Sequence, residues 1–482
     1  MRWPYILRTI GALILCIGIG LFVPSAYALA TGDSSLTALL QAVLITLVLG
    51  LVLFLAFRRH EVPVLHHREG IAIVAIGWGM AGMVGALPFY FSGSCPSFVD
   101  AFFESVSGFT TTGASILTDI EAVPKGILLW RSLTHWLGGM GIIVLSLAIL
   151  PFFGVGGMQL YKAEVPGPIP DKLRPRIRDT AKDLWIVYIL FSLIETLLLL
   201  LGGMDLFESL CHTFGTMATG GFSTRNASIG HYQSLYIDTV ITVFMFLAGI
   251  NFSLHYLLLT GKPSALWKDP ECRFYTGITL FFIGLCTFSI YGERYDDLGS
   301  AFRYAAFQVI SILTTTGYAT ADFELWPALP HLILLISMFL GACAGSTGGG
   351  MKCMRIILLL KQAYREMMHL IHPKMISPIK FGGKVVSDEV MRSVWGFFLL
   401  YLGVFLTASV LLAAMHVDLV TSMAAVAACL GNIGPGIGSV GPTENYAHLH
   451  DMAKWLLAVC MLLGRLEIYT IIVLFVPEFW KK

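Results

Sequence analysis

About ten apolar runs, each long enough to cross a lipid bilayer, restrict this chain to a helical membrane fold. A helix of roughly 20 apolar residues spans the hydrocarbon core, and lipid offers no partner to an unpaired backbone group. Charged residues make up 13% of the 482 positions, about half the share found in soluble domains. The runs cover residues 6–30, 36–57, 71–92, 127–153, 183–203, 235–260, 274–292, 329–361, 393–416 and 453–477.

The first run follows two basic residues, Arg2 and Arg8, and ends in Ala28-Leu29-Ala30, which resembles a signal-peptidase site. The apolar core of a signal peptide is only about 7–15 residues long, so residues 6–30 predict a retained helix. Together with residues 36–57, this helix is expected to form a peripheral hairpin outside any repeat.

Four shorter helical stretches lie between the long runs, near residues 98–109, 205–216, 299–312 and 418–430. At about 1.5 Å per residue, each reaches only half-way through the hydrocarbon core. An aspartate stands at or near the start of each stretch, where a carboxylate caps free N–H groups: Asp100, Asp205, Asp297 and Asp418. The negative ends of the helix dipoles then point into the membrane, where they stabilise a cation.

A short motif rich in threonine and glycine follows each half-length helix. The motifs are Thr110-Thr111-Thr112-Gly113, Ala218-Thr219-Gly220-Gly221, Thr314-Thr315-Thr316-Gly317 and Asn432-Ile433-Gly434-Pro435-Gly436. The motifs recur about every 100 residues, a period too long for a solenoid. Because glycine permits an extended backbone whose carbonyl oxygens face inward, four such loops around one axis predict a ring of oxygen ligands for a cation.

These features predict an all-α polytopic membrane protein with four pseudo-symmetric helix–pore-loop–helix repeats around one pore. The expected units are an N-terminal two-helix hairpin and four pore repeats, the third with a broken second helix. Their boundaries are 1–68 for the hairpin and 69–160, 161–262, 263–375 and 376–482 for the repeats.

Basic residues indicate that both chain ends lie in the cytoplasm, because they gather in connections on one face of the predicted topology. These residues are Arg58, Arg59, Arg68, Lys162, Lys172, Arg174, Arg176, Arg178, Lys182, Lys361, Arg365, Lys374, Lys380, Lys384, Arg392, Lys481 and Lys482. The opposite connections carry the acids Asp119, Glu121, Glu293, Asp296, Asp322, Glu324, Glu444 and Asp451. Such acids either concentrate cations at a pore mouth or belong to ordinary solvated loops.

Three further glycine-containing stretches accompany the four loops: Gly138-Gly139-Met140-Gly141, Gly345-Ser346-Thr347-Gly348-Gly349-Gly350 and Gly464-Arg465-Leu466-Glu467. With them, essentially the whole chain resembles the TrkH/TrkG/KtrB superfamily of potassium transporters, and its two extra N-terminal runs favour the TrkH/TrkG branch. The resemblance implies potassium uptake across the bacterial inner membrane. It also implies a homodimer in which each subunit has its own pore, and a cytoplasmic TrkA-type nucleotide-binding regulatory ring.

Carried over by motif, the resemblance assigns potassium-binding carbonyls of a selectivity filter to twelve residues. They are Thr111, Thr112, Gly113, Ala218, Thr219, Gly220, Thr315, Thr316, Gly317, Asn432, Ile433 and Gly434. No loop has the full Thr-Val-Gly-Tyr-Gly of a tetrameric potassium channel, so we expect a shorter filter that discriminates less strictly. A glycine in every loop favours potassium over sodium.

The glycine-rich stretch of residues 345–350 is expected to interrupt the eighth apolar run below the filter. It is either a kink for helix packing or, as the resemblance favours, an intramembrane gate formed by Gly345, Ser346, Thr347, Gly348, Gly349 and Gly350. Arg465 is costly inside the last run unless it is paired or faces water. It is neutralised by Glu467 or by carbonyls of the 345–350 stretch. As a gate residue it opposes cation flow; as a structural residue it forms an ion pair.

Nothing in the sequence indicates covalent chemistry or a bound cofactor, and K⁺ is the expected substrate ion. Gly345 and Gly350 have the spacing of a phosphate-binding loop, but Met351 stands where that motif needs lysine. Residues 436–441 match a dinucleotide pattern, but no strand precedes them and Pro442 follows where a helix should start. The nine cysteines show no C-x-x-C pairing and are expected to pack as small apolar groups, and His448 and His450 lack a second ligand cluster.

Two other functional classes are alternatives to a potassium transporter of this superfamily. A secondary transporter of another cation, Na⁺ or proton-coupled, would place broken helices at its binding site, but that class usually shows two related halves. An intramembrane enzyme or sensor subunit would need paired polar residues deep in the spans, and Glu195 and Arg465 are isolated in sequence. The sequence leaves open whether flux is passive or coupled to protons as in symport, and which nucleotide regulates it.

Overall fold

The computed structural model describes residues 1–58, 67–149 and 177–481, and these are almost entirely helical. Several predicted features fall outside the described residues: the basic residues Arg59, Lys162, Lys172, Arg174, Arg176 and Lys482, and the boundary between residues 160 and 161. Within the described part, the all-α polytopic fold is confirmed. The only strands there are Lys380–Phe381 and Lys384–Val385, an antiparallel pair in which Lys380 lies opposite Val385.

The N-terminal hairpin consists of Trp3–Gly20, Phe22–Thr31 and Leu36–Ala56. Its first two helices together form one apolar span, Trp3–Thr31, and the third forms another. The backbones approach closely at Gly11, where an added Cβ would lie 2.7 Å from the amide nitrogen of Phe54. Close packing of the two spans therefore depends on the absence of a side chain at that position.

Each of the four repeats contains an outer helix, a half-length helix and an inner helix. The outer helices are His67–Gly85, Ile177–Leu201, Pro270–Ile290 and Asp388–Ala414. The half-length helices, called pore helices 1 to 4 after the pore that the sequence predicts, are Phe98–Phe109, Leu206–Met217, Leu298–Leu313 and Leu419–Leu430. The inner helices are Lys125–Ile149, Leu235–Ala248 with Phe252–Leu259, Ala328–Leu340 with Cys353–Ile371, and Asp451–Arg465 with Ile468–Ile472.

Short helical segments complete the described part. They are the α-helical turns Leu87–Phe91, Ser264–Lys268 and Pro477–Trp480 and the 3₁₀ turns Ser228–Tyr232, Phe323–Leu325 and Val473–Phe475.

The predicted caps of the pore helices are confirmed at three of four positions. Asp205, Asp297 and Asp418 each accept a hydrogen bond from the backbone N–H three residues ahead, at 2.6, 2.7 and 3.0 Å. In pore helix 1 the cap is Ser97, whose hydroxyl accepts from the N–H of Asp100 at 3.1 Å. Because the cap satisfies N–H groups that the first turn leaves free, all four helices begin where the sequence predicts, within one residue or so.

Six helices within the described residues are long and apolar enough to cross a membrane, or up to eight if each bent pair counts as one span. One face of these helices is open and apolar: along Ile177–Leu201, Leu193, Leu197 and Leu201 are 58%, 60% and 80% exposed. Their four-residue spacing makes a continuous stripe suited to lipid.

Three of the predicted apolar runs are sharply bent or interrupted by a loop. Residues 235–260 bend by 102° between Ala248 and Phe252, and residues 453–477 bend by 117° after Arg465. The predicted interruption of residues 329–361 is confirmed: one helix ends at Leu340 and the next begins at Cys353. Hydropathy alone does not detect the two bends, because the residues that make them are embedded in apolar sequence.

The two chain ends lie together. The guanidinium of Arg2 contacts the carboxylate of Glu69 at 2.8 Å, and Arg68 donates to the carbonyl of Lys481 at 2.7 Å. The rings of Trp3 and Trp480 stack with centroids 5.7 Å apart. Both ends of the described chain are therefore on the same face of the helical bundle as the start of the third span.

Candidate functional site

The four Thr/Gly loops share one unusual backbone conformation. In each, a residue with a positive φ is followed two positions later by a glycine with a positive φ. The pairs are Thr111 and Gly113 (50° and 81°), Thr219 and Gly221 (53° and 76°), Thr315 and Gly317 (60° and 82°), and Asn432 and Gly434 (56° and 99°). A non-glycine residue in this region is strained, so four matching instances mark four structurally equivalent loops.

In the second loop, the positive-φ glycine lies one residue later than the alignment of the four motifs predicts. Its backbone places Gly221, not Gly220, in the position of Gly113. Gly220 instead matches Thr112, Thr316 and Ile433, the residues that precede the positive-φ glycine in the other loops. A pair of adjacent glycines cannot be aligned from spacing alone, since either satisfies the motif.

The four loops form a closed ring in which each contacts the next. At each positive-φ glycine an added Cβ would collide with backbone of the following loop, nearest a carbonyl oxygen: that of Gly220 for Gly113, Thr316 for Gly221, Ile433 for Gly317 and Thr112 for Gly434. The order of contact is loop 1 to 2, 2 to 3, 3 to 4 and 4 to 1. The four glycines also line one cavity of about 120 Å³.

The ring places four equivalent carbonyl groups, those of Thr112, Gly220, Thr316 and Ile433, at the contacts between loops. A side chain on any of the four positive-φ glycines would push neighbouring loops apart, which explains why these positions are glycine. Backbone carbonyls can replace the hydration shell of a monovalent cation without a full negative charge. The arrangement therefore brings a backbone carbonyl from each of the four loops into one ring of contacts.

Among the described residues, every threonine hydroxyl of the loops except that of Thr111 bonds to a protein group. Thr110 and Thr112 share a hydrogen bond of 2.7 Å, and the equivalent pair Thr314 and Thr316 shares one of 2.8 Å. The amide of Asn432 donates to the hydroxyl of Thr112 at 3.0 Å, which joins loop 4 to loop 1. These hydroxyls brace the ring, and the hydroxyl of Tyr446 adds a hydrogen bond of 2.7 Å to the carbonyl of Gly434.

A clamp from the first inner helix holds loop 2. The ring of His135 fills the space beside Gly220, where a Cβ would collide with it, and stacks on Phe222 with centroids 4.0 Å apart. One turn earlier, Arg131 donates to the carbonyl of Ser223 at 3.0 Å and contacts Glu104 of pore helix 1 at 2.6 Å. Loop 2 is thereby fastened to pore helix 1.

Residues 341–352, which separate Ala328–Leu340 from Cys353–Ile371, form a loop directly against the ring. This 341–352 loop contains six of the seven residues of the predicted gate, and the seventh, Arg465, ends the helix Asp451–Arg465. The hydroxyl of Thr347 donates to the carbonyls of Met217 and Ala248 at 3.1 and 3.3 Å. The N–H of Gly349 donates to the hydroxyl of Thr315 at 2.6 Å. The loop therefore contacts pore helix 2, the second inner helix and ring loop 3.

The ends of the 341–352 loop are pinned. The N–H of Cys353 donates to the carbonyl of Ala342 at 3.0 Å, which closes the loop. The buried carboxylate of Glu271 accepts from the N–H groups of Ala344 and Met354 at 2.9 and 2.8 Å. The conformation is thus determined by specific bonds at both ends and is more than a helix kink.

Arg465 reaches the 341–352 loop from the last inner helix and is 3% exposed. Its guanidinium donates to the carbonyl of Thr347 at 2.7 Å and to that of Gly138 at 3.2 Å. Glu467 contacts Arg355 instead, at 2.5 Å. Of the two partners that the sequence suggested for Arg465, the structure therefore has the loop carbonyl.

Comparison with known proteins gives the family. The family model TrkH, described as a cation transport protein, matches residues 35–482. The Trk system potassium uptake protein TrkH of Salmonella typhimurium is 43% identical over the full length of both chains. The chain belongs to the TrkH family of potassium uptake transporters.

Two further comparisons agree with this membership. The Trk system potassium uptake protein TrkG of Escherichia coli is 40% identical over 87% of this chain and 86% of its own. The crystal structure of the potassium transporter TrkH from Vibrio parahaemolyticus matches with a TM-score of 0.92 and 38% identity over all of both chains. The family function is transport, not catalysis, as the sequence predicts.

Two of the predicted acids, Asp119 and Glu121, are close to Arg225 and Asn226, which line the same cavity as the four ring glycines. Arg225 contacts Glu208 and lies 3.7 Å from Glu121, and the amide of Asn226 donates to Asp119 at 2.9 Å. This hydrogen bond lowers the pKa of Asp119. The lowered pKa keeps Asp119 ionised, so the hydrogen bond fixes this carboxylate in place without removing its negative charge.

Within the described ranges, no group of three or more His, Cys, Asp or Glu side chains is arranged to hold a metal ion. The ring of His448 contacts the hydroxyl of Ser439 at 3.0 Å, and His450 accepts from the N–H of Met452 at 3.2 Å. All nine cysteines are free, and all but Cys16 are buried, in agreement with packing as small apolar groups.

Sequence reasoning missed the buried charges that surround the ring. Glu104, Arg131 and Lys454 lie within helices that cross or enter the membrane and are 0%, 2% and 5% exposed. A charge in such a position is costly unless paired, so each was a detectable candidate. Their partners are distant in sequence, which is why spacing did not reveal the pairs.

Proposed function

We propose that this TrkH-family protein takes up potassium across the bacterial inner membrane through a channel-like pore along the axis of the four loops. The observation that supports this most directly is the closed ring of loop contacts, with a carbonyl oxygen at each. Pore helices 1 to 4 end at these loops, so their negative dipole ends add to the stabilisation of a cation. The relatives named potassium uptake proteins support potassium as the ion.

In this proposal the selectivity filter is formed by carbonyls of the twelve residues carried over by motif, with Gly221 added in loop 2. One layer of oxygen ligands is that of Thr112, Gly220, Thr316 and Ile433. The short glycine-centred segment supports potassium over sodium with moderate discrimination.

The 341–352 loop is proposed as the gate below the filter, with Arg465 as a fixed positive charge that opposes cation flow. The support is the direct bond from Arg465 to the carbonyl of Thr347, which makes the loop and the barrier one unit. For Arg465→Ala we expect a faster Rb⁺ leak in the absence of any regulatory partner. Transport indistinguishable from wild type would remove Arg465 from the gate.

Regulation is proposed to come from a TrkA-type nucleotide-binding ring on the cytoplasmic face, and the active protein is proposed to be a homodimer. The name "Trk system" of the relatives supports a partner of this kind. The shared position of the two chain ends, together with the basic residues near them, supports a cytoplasmic location for both.

A secondary transporter of another cation is the second candidate, because two inner helices are bent and a third is interrupted, as is typical of such transporters. Rb⁺ uptake into potassium-requiring cells, with and without the regulatory partner, distinguishes the two. Channel-like uptake follows the ion gradient and is unchanged when the proton gradient is collapsed at constant membrane potential. Uptake that requires the proton gradient would favour the secondary transporter, and absence of Rb⁺ uptake would contradict the proposal.

A further inference from the structure

Lys352, the last residue of the 341–352 loop, has a backbone conformation that turns its side chain back under the loop. Its φ is 68°, a region that lysine rarely adopts. The ammonium donates a hydrogen bond to the carbonyl of Gly348, four residues earlier. The strain is therefore coupled to a specific contact between a positive charge and a carbonyl of the proposed gate.

Two cationic side chains thus occupy two consecutive carbonyls. Arg465 bonds to Thr347 at 2.7 Å, and Lys352 bonds to Gly348. Backbone carbonyls of this kind are the ligands that a dehydrated potassium ion would use. A tethered ammonium carries the same charge as that ion and takes the same oxygen.

The other charged groups near Lys352 are engaged with one another or with the backbone. They come from three elements: Arg355, Glu467 and Glu271. Glu467 contacts Arg355 at 2.5 Å, and Glu271 accepts from two N–H groups at the ends of the loop. The positive charge of Lys352 is therefore directed at the loop carbonyl.

We propose that Lys352 is a second latch of the closed gate, a tethered cation that competes with potassium for the carbonyl of Gly348. The proposal rests on the pore function proposed above. Arg465 joins the loop to a neighbouring repeat, whereas Lys352 and Gly348 belong to the same loop. Lys352 therefore stabilises the folded shape of the loop itself, and opening requires the ammonium to leave Gly348.

The test is Rb⁺ uptake into potassium-requiring cells at a series of Rb⁺ concentrations, without the regulatory partner. For Lys352→Met we expect uptake three- to tenfold above wild type and a lower Rb⁺ concentration at half-maximal uptake, because the competing cation is gone. Lys352→Arg keeps a cationic donor and should restore both values toward wild type. Lys361→Met is the matched control, because Lys361 is exposed on the helix that follows and bonds to Lys380.

Lys352→Gln separates the loss of charge from a folding defect, because its amide can still donate to the carbonyl of Gly348 but carries no charge. We expect its uptake to lie between those of wild type and Lys352→Met, at equal abundance in the membrane. The latch proposal would be overturned if wild type transports Rb⁺ and both Lys352→Met and Lys352→Gln show the same uptake and the same half-saturating Rb⁺ concentration as wild type. The proposed pore would be unaffected by that result. Absence of transport by wild type would instead count against the proposed function.

Discussion

The ammonium of Lys454 lies 2.6 Å from the carboxylate of Asp100, although 354 residues separate them in sequence. Both side chains are buried, and the pair joins the inner helix of repeat 4 to pore helix 1. On another side of the ring Arg303 of pore helix 3 contacts Asp238 of the second inner helix at 2.7 Å. In the first pair the inner helix carries the positive charge, and in the second pair the pore helix carries it. The two pairs connect two of the four junctions between repeats.

Breaking the Lys454–Asp100 pair should loosen the ring at the junction of the first and last repeats. Lys454→Met leaves a buried carboxylate unpaired, and we expect a loss of about 3–5 kcal/mol in stability. Thermal unfolding of the purified protein in detergent measures it. The exchange Lys454→Asp with Asp100→Lys should recover part of the loss, whereas Lys481→Met, which removes an exposed ion pair, should have little effect. Equal melting temperatures for Lys454→Met and Lys481→Met would contradict the role.

Gly221 should tolerate a side chain far less well than another positive-φ glycine outside the ring. In Gly221→Ala the new methyl group collides with the carbonyl of Thr316, and we expect Rb⁺ uptake to fall more than tenfold. Gly292→Ala is the matched control, because its φ is 79° and no atom lies within 4 Å of the added Cβ. Both variants carry the same backbone strain, so similar uptake by the two would argue against the ring.

Thr315 connects the proposed filter to the proposed gate through the bond from Gly349. Thr315→Val keeps the shape of the side chain and removes the acceptor, so the buried N–H of Gly349 loses its partner. We expect uptake without the regulatory partner to rise severalfold and the preference for Rb⁺ over Na⁺ to decrease. Thr111→Val, at the equivalent position of loop 1, removes a hydroxyl without a partner among the described residues and should have a smaller effect. Equal effects of the two variants would mean that the Thr315 bond does not couple filter and gate.

Asp269, which caps the third outer helix just outside its spanning segment, should make stability depend on pH. Burial raises the pKa of this carboxyl to about 6, above its ordinary value of 3.8. The folded protein therefore holds the proton more tightly, so stability is highest below about pH 4 and decreases as pH rises to about 6, by up to about 3 kcal/mol. Asp269→Asn keeps the cap acceptor and should remove this component. The melting temperatures of both proteins between pH 4.5 and 8 measure it; parallel profiles would contradict the assignment.

Patterns among neighbouring residues predicted the helices well, but they predicted the bends within helices and the alignment of the loops less well. The pore helices were predictable because an aspartate at or near the start, a short apolar stretch and a glycine motif follow one another closely in the sequence. The bend after Ala248 and the alignment of loop 2 with the other loops were not predictable. Contacts with residues distant in sequence explain why Gly249 and Gly220 are glycines. An added Cβ on Gly249 would lie 3.0 Å from Thr314, and one on Gly220 would strike His135.

The sequence by itself determined that the chain is a helical membrane protein with four half-length helices, each followed by a glycine motif. Apolar length and capping are properties of neighbouring residues, so they can be read along the chain. Only the tertiary structure decided that the four loops close into a ring, that Gly221 belongs to it, and that Arg465 and Lys352 bond to adjacent carbonyls. Those relationships join residues that lie in different repeats or require a particular backbone turn, and local composition does not encode them.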